Sequence, residues 1–134
     1  MKIIVLVKEV PDTYGDRKLS LESGLADRTG DVVLDEIGER ALEVALTYAE
    51  ANAGTEVSVL SMGPASVPTA LRKALAMGAA NAVHVLDDGL VGADLGVTAE
   101  VLAAAIRRAG FDLVLTGNIS TDGSGGSLPS MICF

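Results

Sequence analysis

The 134-residue chain lacks tryptophan, is poor in other aromatic residues and carries few cations. Aromatic residues make up 3% of the sequence, so the stacking platforms that many nucleic-acid binders use are nearly absent. Lys and Arg number 10 against 18 Asp and Glu, and the net charge of −8 would repel nucleic acid and anionic membranes. The composition therefore predicts no nucleic-acid partner, no membrane insertion, and phosphate binding by backbone N–H groups rather than by a cationic patch.

The sequence also has one cysteine, one histidine and no long apolar run at its N-terminus. Cys133 alone can form neither a disulfide within the chain nor a Cys-based zinc site, and this usage fits a reducing compartment. The N-terminal apolar run, Ile3 to Val7, is flanked by Lys2 and Lys8 and is too short for a signal-peptide core or a membrane span. We therefore expect a cytoplasmic protein without a signal or transit peptide.

Short β-branched runs alternate with helical stripes along the chain. The length suits one domain of about 100–150 residues, and the apolar content of 49% is enough for a core. The order β–α–β–α–β–α–β predicts an α/β fold with an open, mainly parallel, Rossmann-like sheet and helices on both faces. The predicted strands are 3–7, 56–62, 81–86 and 112–116, and the predicted helices are 36–52, 67–75 and 94–109.

The first helix shows the clearest boundary signals. Its apolar stripe consists of Ile37, Ala41, Val44, Ala45 and Tyr48. Asp35 is a plausible N-cap and Gly54 a plausible stop. Before it, a long polar loop contains a segment at 27–33 that could form a hairpin or an edge strand.

Ligands of open α/β sheets bind beyond the carboxyl ends of the strands. Three loops meet this description: 8–11, 62–64 and the segment from 117 onward. The last reads T-G-N-I-S-T-D-G-S-G-G-S-L-P, with glycines at Gly117, Gly123, Gly125 and Gly126. Glycines allow close approach of a backbone to phosphate, and a helix starting near 125–127 would add free N–H groups. The segment is an anion cradle or, alternatively, a flexible surface loop.

The other candidate positions carry weaker signals. Lys8 is a ligand contact or a solvated strand end, and Gly38 could leave room for a ligand ring or sugar at the start of the first helix. Met62 alone is more typical of core packing than of a ligand contact. His84 lies inside a predicted strand and is more typical of a structural or exposed residue than of a metal ligand. No nucleophile or acid–base pair is evident from local sequence.

Five segments of the chain resemble a known family. They are K-I-I-V-L-V-K-E-V-P-D-T, D-E-I-G-E-R-A-L-E-V-A-L, V-S-V-L-S-M-G-P, L-R-K-A-L-A-M-G-A-A-N-A-V-H-V and F-D-L-V-L-T-G-N-I-S-T-D-G. Together they are similar to the β (small) subunit of electron transfer flavoprotein over essentially the whole chain. In fold, that family is similar to the adenine-nucleotide α-hydrolase-like superfamily.

The resemblance implies an αβ heterodimer in which the large α subunit holds most of an FAD that shuttles electrons from acyl-CoA or other dehydrogenases. The small subunit would bind a second nucleotide, AMP or FAD. The contacts implied by position are Leu6, Lys8, Asp35, Glu36, Ile37, Gly38, Met62, Gly117, Asn118, Ser120, Thr121, Asp122, Gly123, Ser124, Gly125, Gly126, Ser127 and Leu128. The family often has Asn-Pro where this chain has Asp35-Glu36, so a contact made through Asn is not carried over.

Three functions remain open from the sequence. The first is an electron-carrier subunit that binds a nucleotide and has no bond-making active site of its own. The second is a stand-alone ATP- or AMP-binding domain of the universal-stress type, whose glycine signature the chain matches poorly. The third is a hydrolase or ligase of the α-hydrolase superfamily, for which K-E-V-P-D-T supplies no phosphate-loop motif.

The end of the sequence predicts a fragment. S-L-P-S-M-I-C-F reads as a helix that has just begun, and the small subunit of the resembling family is about twice as long as this chain. We therefore expect residues 1–134 to form a single nucleotide-binding α/β domain, truncated before a C-terminal part that would carry partner docking.

Overall fold

The computed structural model describes residues 1–133, and a parallel four-stranded sheet lies at its centre. Within this range, four α-helices and a small two-stranded ribbon accompany the sheet. In order, the elements are β1 (Lys2–Leu6), β2 (Glu9–Pro11), β3 (Val32–Leu34), α1 (Glu36–Ala51), β4 (Glu56–Met62), α2 (Pro68–Met77), β5 (Asn81–Val85), a 3-10 turn (Asp88–Leu90), α3 (Leu95–Ala109), β6 (Leu113–Thr116) and α4 (Leu128–Ile132).

The central sheet has the strand order β5-β4-β1-β6. β1 pairs in parallel with β4 on one side and with β6 on the other, so the chain winds outward from β1 in both directions. The winding direction reverses between β1 and β6, and the loops that follow these two strands diverge there. Such a switch point is where open α/β sheets form their ligand crevice. The predicted α/β fold with an open parallel sheet is confirmed.

Helices cover both faces of the sheet, as predicted. Side chains alternate along β1, so Ile3 and Val5 pack beneath α1 and α2, whereas Ile4 packs on the other face with Leu102 and Ile106 of α3. All of these side chains are buried. The core therefore consists of two apolar layers, one on each side of the sheet.

The predicted apolar stripe of α1 is wrong at two of its positions. Val44 is 63% exposed and Tyr48 is 45% exposed, whereas Gly38, Leu42 and Ala45 are the buried residues. Small side chains allow the helix to lie close to the sheet, so the buried face follows Gly38, Leu42 and Ala45 at steps of four and three. The predicted stripe also omitted Leu42, which is fully buried against the sheet.

The predicted N-cap of α1 is confirmed, whereas the C-cap of α1 is Asn52 and Gly54 lies two residues beyond it. Asp35 caps α1 by accepting a hydrogen bond from the Ile37 amide at 3.1 Å, and Asp94 caps α3 by accepting from the Val97 amide at 2.9 Å. Gly110 follows α3 with a φ of +76°, a left-handed conformation that glycine adopts without strain. Among residues 1–133, no helix combines the length and the apolar character needed to span a bilayer.

The segment before α1 forms a ribbon rather than the local hairpin considered at 27–33. β2 pairs antiparallel with β3, and the Asp12 amide donates to the Asp31 carbonyl at 2.9 Å just beyond the last pair. This closes residues 12–31 into one loop, here called the N-terminal loop. Its two ends are therefore fixed beside the carboxyl end of β1.

Candidate functional site

The segment 117–127, here called the glycine-rich turn, folds back over the carboxyl ends of β1 and β6. The Thr121 amide donates to Asp35 Oδ2 at 2.9 Å, which attaches the turn to the first residue before α1. Lys8 Nζ donates to Asp122 Oδ1 at 2.8 Å, which attaches the turn to the second residue after β1. The turn thus lies at the switch point of the sheet and unites three separate groups of predicted site residues.

Backbone N–H groups at the end of the turn have no acceptor within residues 1–133. The amides of Gly125, Gly126 and Ser127 are exposed and donate no hydrogen bond to this part of the chain. Earlier in the turn the Gly123 amide bonds Asp122 Oδ1 and the Ser124 amide bonds the Ser120 carbonyl. These three amides are consecutive in sequence and exposed, and they are candidate donors for an anion. The helix expected behind them is α4, whose five residues are too few to add a large dipole.

The glycines of the site have different physical roles. A Cβ at Gly117 would lie 2.6 Å from Ile37 Cγ2, so this glycine permits close packing of the turn on α1. A Cβ at Gly38 would lie 3.5 Å from Val7 Cα, so this glycine faces Val7 rather than open space. Gly126 has a φ of +65° and Gly125 faces open space without a left-handed φ. Gly125 is therefore the position where a side chain can be added without strain.

Asp35 is a structural link rather than a free ligand contact. It is 2% exposed, and its two oxygens accept hydrogen bonds from the amides of Ile37 and Thr121. The neighbouring Glu36 points outward, with its side chain 60% exposed and 3.8 Å from Arg40. Asp35 therefore couples the start of α1 to the glycine-rich turn, whereas Glu36 takes no part in that link.

A cationic cluster surrounds the middle of the turn, and the sequence analysis missed two of its members. Arg17 donates to the carbonyl and to the hydroxyl of Thr121, the latter at 3.1 Å. Arg28 lies 3.7 Å from Asp122, opposite Lys8. Desolvation raises the pKa of Asp122, but hydrogen bonds from Lys8 and Ser120 and the charge of Lys8 outweigh it and lower the pKa below its usual value. Asp122 is therefore ionised at neutral pH.

Leu6, Met62 and Leu128 form an apolar surface beside the turn. All three are half-buried and pack against the layer of Ile4 and Leu60 on the α3 face of the sheet. Leu6 and Met62 are the last residues of their strands, so their side chains lie at the carboxyl edge. A flat apolar group could therefore lie next to the polar turn.

The remaining sequence candidates are placed as follows. Ser120 is half-buried, with its hydroxyl 3.5 Å from Lys8 Nζ, while Asn118 and Ser124 are exposed. His84 is half-buried in β5, and its Nε2 lies 2.9 Å from the Gly63 carbonyl, so it supports the β4–α2 loop.

Two surface cavities lie at the opposite edge of the sheet. One, of about 240 Å³, opens between the amino ends of the strands and Gly110, and another, of about 380 Å³, lies beside Gly54 and Gly78. Neither contains a residue of the predicted site. The free donors lie at the carboxyl ends of the strands and the two cavities lie at the amino ends. The candidate site is therefore identified by its hydrogen-bond donors and not by a cavity.

The fold defines the chain as an α/β domain of the doubly wound class, with backbone donors that have no acceptor within residues 1–133 at the carboxyl ends of its strands. Residues 24–133 match the family model described as the electron transfer flavoprotein domain. The chain therefore belongs to this flavoprotein family, as the resemblance predicted. The match gives no support to the universal-stress-type alternative.

Curated relatives agree with this assignment. The chain is 49% identical, over 97% of its length, to the protein named electron transfer flavoprotein subunit beta from Mycobacterium tuberculosis. It is 40% identical, over 98% of its length, to the caffeyl-CoA reductase-Etf complex subunit CarD from Acetobacterium woodii. Each alignment covers 51% of the relative, so the chain spans about half the length of these relatives.

Proposed function

We propose that this chain is the nucleotide-binding part of a small electron transfer flavoprotein subunit. The observation that carries the proposal is the position of the glycine-rich turn at the switch point between β1 and β6, with three free amides beside a half-buried apolar surface. Backbone amides in a turn of this kind favour phosphate groups. The name shared by the relatives supports the flavoprotein part of the proposal.

The residues divide the binding of a nucleotide between them. The amides of Gly125, Gly126 and Ser127 hold the phosphate because they face solvent without an acceptor in residues 1–133. Leu6 and Met62 offer their apolar surface to the adenine ring, which gains from leaving water. The ligand is AMP, or FAD bound by its AMP moiety. Asp35 acts indirectly, since its hydrogen bond to Thr121 fixes the turn.

The proposed role within the cell follows from the family. Residues 1–134 form one nucleotide-binding domain of a small subunit that pairs with the large α subunit in a cytoplasmic heterodimer. FAD shared with the large subunit carries electrons from acyl-CoA or other dehydrogenases to an acceptor. The chain itself is not an enzyme: it positions the nucleotide and forms no bond with the electron donor.

The test is to purify the chain alone and together with the family's large subunit. We expect AMP or FAD in the ligand extracted from the chain, identified by mass spectrometry. We also expect flavin absorbance near ~450 nm that is stronger in the complex than in the chain, because the large subunit supplies most of the FAD contacts. Tight ATP binding by a homodimer with no flavin in either sample would contradict the proposal.

A further inference from the structure

Asp122 lies among donors that would suit an external anion. Its Oδ1 accepts hydrogen bonds from Lys8 Nζ at 2.8 Å and from the Gly123 amide at 2.7 Å. Its Oδ2 lies 3.7 Å from Arg28 Nη2. The carboxyl side chain is 13% exposed, so these groups and not water provide most of its surroundings.

The donors around Asp122 come from separate parts of the sequence. Lys8 follows β1, Arg28 comes from the N-terminal loop, and the Gly123 amide belongs to the turn itself. An ammonium, a guanidinium and a backbone amide are the groups that proteins use for phosphate oxygens. The chain has thus gathered a phosphate-type donor set and filled it with its own carboxylate.

The same turn carries donors that remain free. The amides of Gly125, Gly126 and Ser127 begin three residues after Asp122 and have no acceptor within residues 1–133. Three residues span at most about 11 Å, so the Gly125 amide lies within that distance of the residue that Lys8 and Arg28 engage. Because a carboxylate and a phosphate cannot both use the same N–H donors fully, the two anions would compete.

We propose that Asp122 is an internal competitor for the phosphate of the bound nucleotide: when the phosphate binds, Lys8 and Arg28 exchange the carboxylate for phosphate oxygens. The inference rests on the proposed function, since it concerns the regulation of the same site. Asp122 therefore holds the two cations against the turn when no nucleotide is bound. Because the phosphate must displace this carboxylate, Asp122 lowers the affinity for the nucleotide.

The geometry allows the exchange without unfolding. The Lys8 side chain is 44% exposed and the Arg28 side chain is 30% exposed, so both can change partners while their stems stay in place. An ion pair that is partly exposed is weak because water and salt screen it. A phosphate carries more charge than a carboxylate and has three oxygens to offer, so it is the stronger partner for both cations.

The test compares AMP binding by the wild type and by Asp122→Asn, measured by calorimetry at low salt, with inorganic phosphate as a second probe. We expect Asp122→Asn to bind both probes about tenfold more tightly, the order expected when one charge-assisted contact stops competing. Asp16→Asn is the matched control, because it makes the same change in net charge at an exposed carboxylate that pairs with Lys18. Its affinity for AMP should equal that of the wild type.

Two further measurements make the result specific. In the double variant Lys8→Met with Asp122→Asn, the gain in affinity should disappear because the released cation is gone. In the unaltered chain, the carboxyl ¹³C signal of Asp122 should shift when AMP is added, which tests the exchange even if a variant folds poorly.

The outcomes separate this inference from the proposed function. If the wild type binds AMP and a folded Asp122→Asn binds it no more tightly, or if the Asp122 signal does not move when AMP binds, the competitor role is wrong and the proposed function stands. If neither protein binds AMP or phosphate, both are contradicted.

Discussion

Substitution of Gly125 by valine is expected to weaken AMP binding by about ten- to a hundredfold, equivalent to one charge-assisted hydrogen bond. The reason is local. No atom lies within 4 Å of the position that a Cβ would take at Gly125, and its backbone is not left-handed, so the folded chain accepts the side chain. A phosphate over the amides of Gly125 and Gly126 would meet that side chain directly. Calorimetric titration with AMP measures the effect, and thermal unfolding checks that stability is unchanged.

Gly30→Val is the matched control for this substitution. Gly30 is also exposed, also faces open space and also lacks a left-handed φ, but it lies in the N-terminal loop. Its affinity for AMP should stay within about twofold of the wild type. Gly126→Val is a poor test, because a φ of +65° strains any branched residue there and would lower stability by itself. Equal AMP affinity in Gly125→Val and the wild type would refute the phosphate cradle.

Asp35→Ala should lower the free energy of unfolding by about 2–4 kcal/mol. Loss of the N-cap bond to Ile37 costs about 1 kcal/mol, and loss of the acceptor for the Thr121 amide costs about 1–3 kcal/mol more. Asp35 is 2% exposed, so little water can replace its oxygens while the fold persists. Chemical denaturation of both proteins measures the difference.

Asp94→Ala separates the two contributions. Asp94 caps α3 through the Val97 amide, but it is exposed and makes no hydrogen bond to the glycine-rich turn within residues 1–133. Its removal should cost only the capping part, about 1 kcal/mol. The excess loss in Asp35→Ala over Asp94→Ala then reports the link between α1 and the turn. Equal losses in the two variants would show that this link adds nothing to stability.

Much of the fold could be predicted because the strands are short, β-branched runs and the helices have clear ends. The run at 3–7 and the N-cap Asp35 are examples of such features in the local sequence. The inward face of α1 could not be predicted in the same way, since it depends on how closely the helix approaches the sheet. Gly38 and Ala45 are buried for that reason, whereas Val44 is exposed although it is more apolar.

The position of the glycine-rich turn could also be predicted, because a loop after the fourth strand of such a sheet lies at its carboxyl edge. The cations that surround the turn could not. Arg28 reaches Asp122 because β2 and β3 pair and bring the N-terminal loop beside β1, and its Nη1 donates to the Glu9 carbonyl at 2.9 Å. The sequence of that loop has no hydrophobic periodicity from which its path could be predicted. Its length was the one available signal of function.

The net charge of the chain was a poor guide to this edge of the sheet. A total of −8 predicted that cationic side chains would have no part in phosphate binding. Lys8, Arg17 and Arg28 nevertheless lie at the turn, together with the carboxylates of Asp35 and Asp122. Total charge averages over a surface, whereas an anion responds to the few groups within a Debye length of about 10 Å.

The central claim is that the amides of the glycine-rich turn hold the phosphate of a mononucleotide at the carboxyl edge. The direct measurement is a titration of the ¹⁵N-labelled chain with AMP, followed amide by amide in NMR spectra. The account predicts the largest shifts at Gly125, Gly126 and Ser127, with smaller ones at Lys8. Shifts centred on Gly54 or Gly110, beside the cavities at the amino edge, would contradict it, as would an unchanged spectrum.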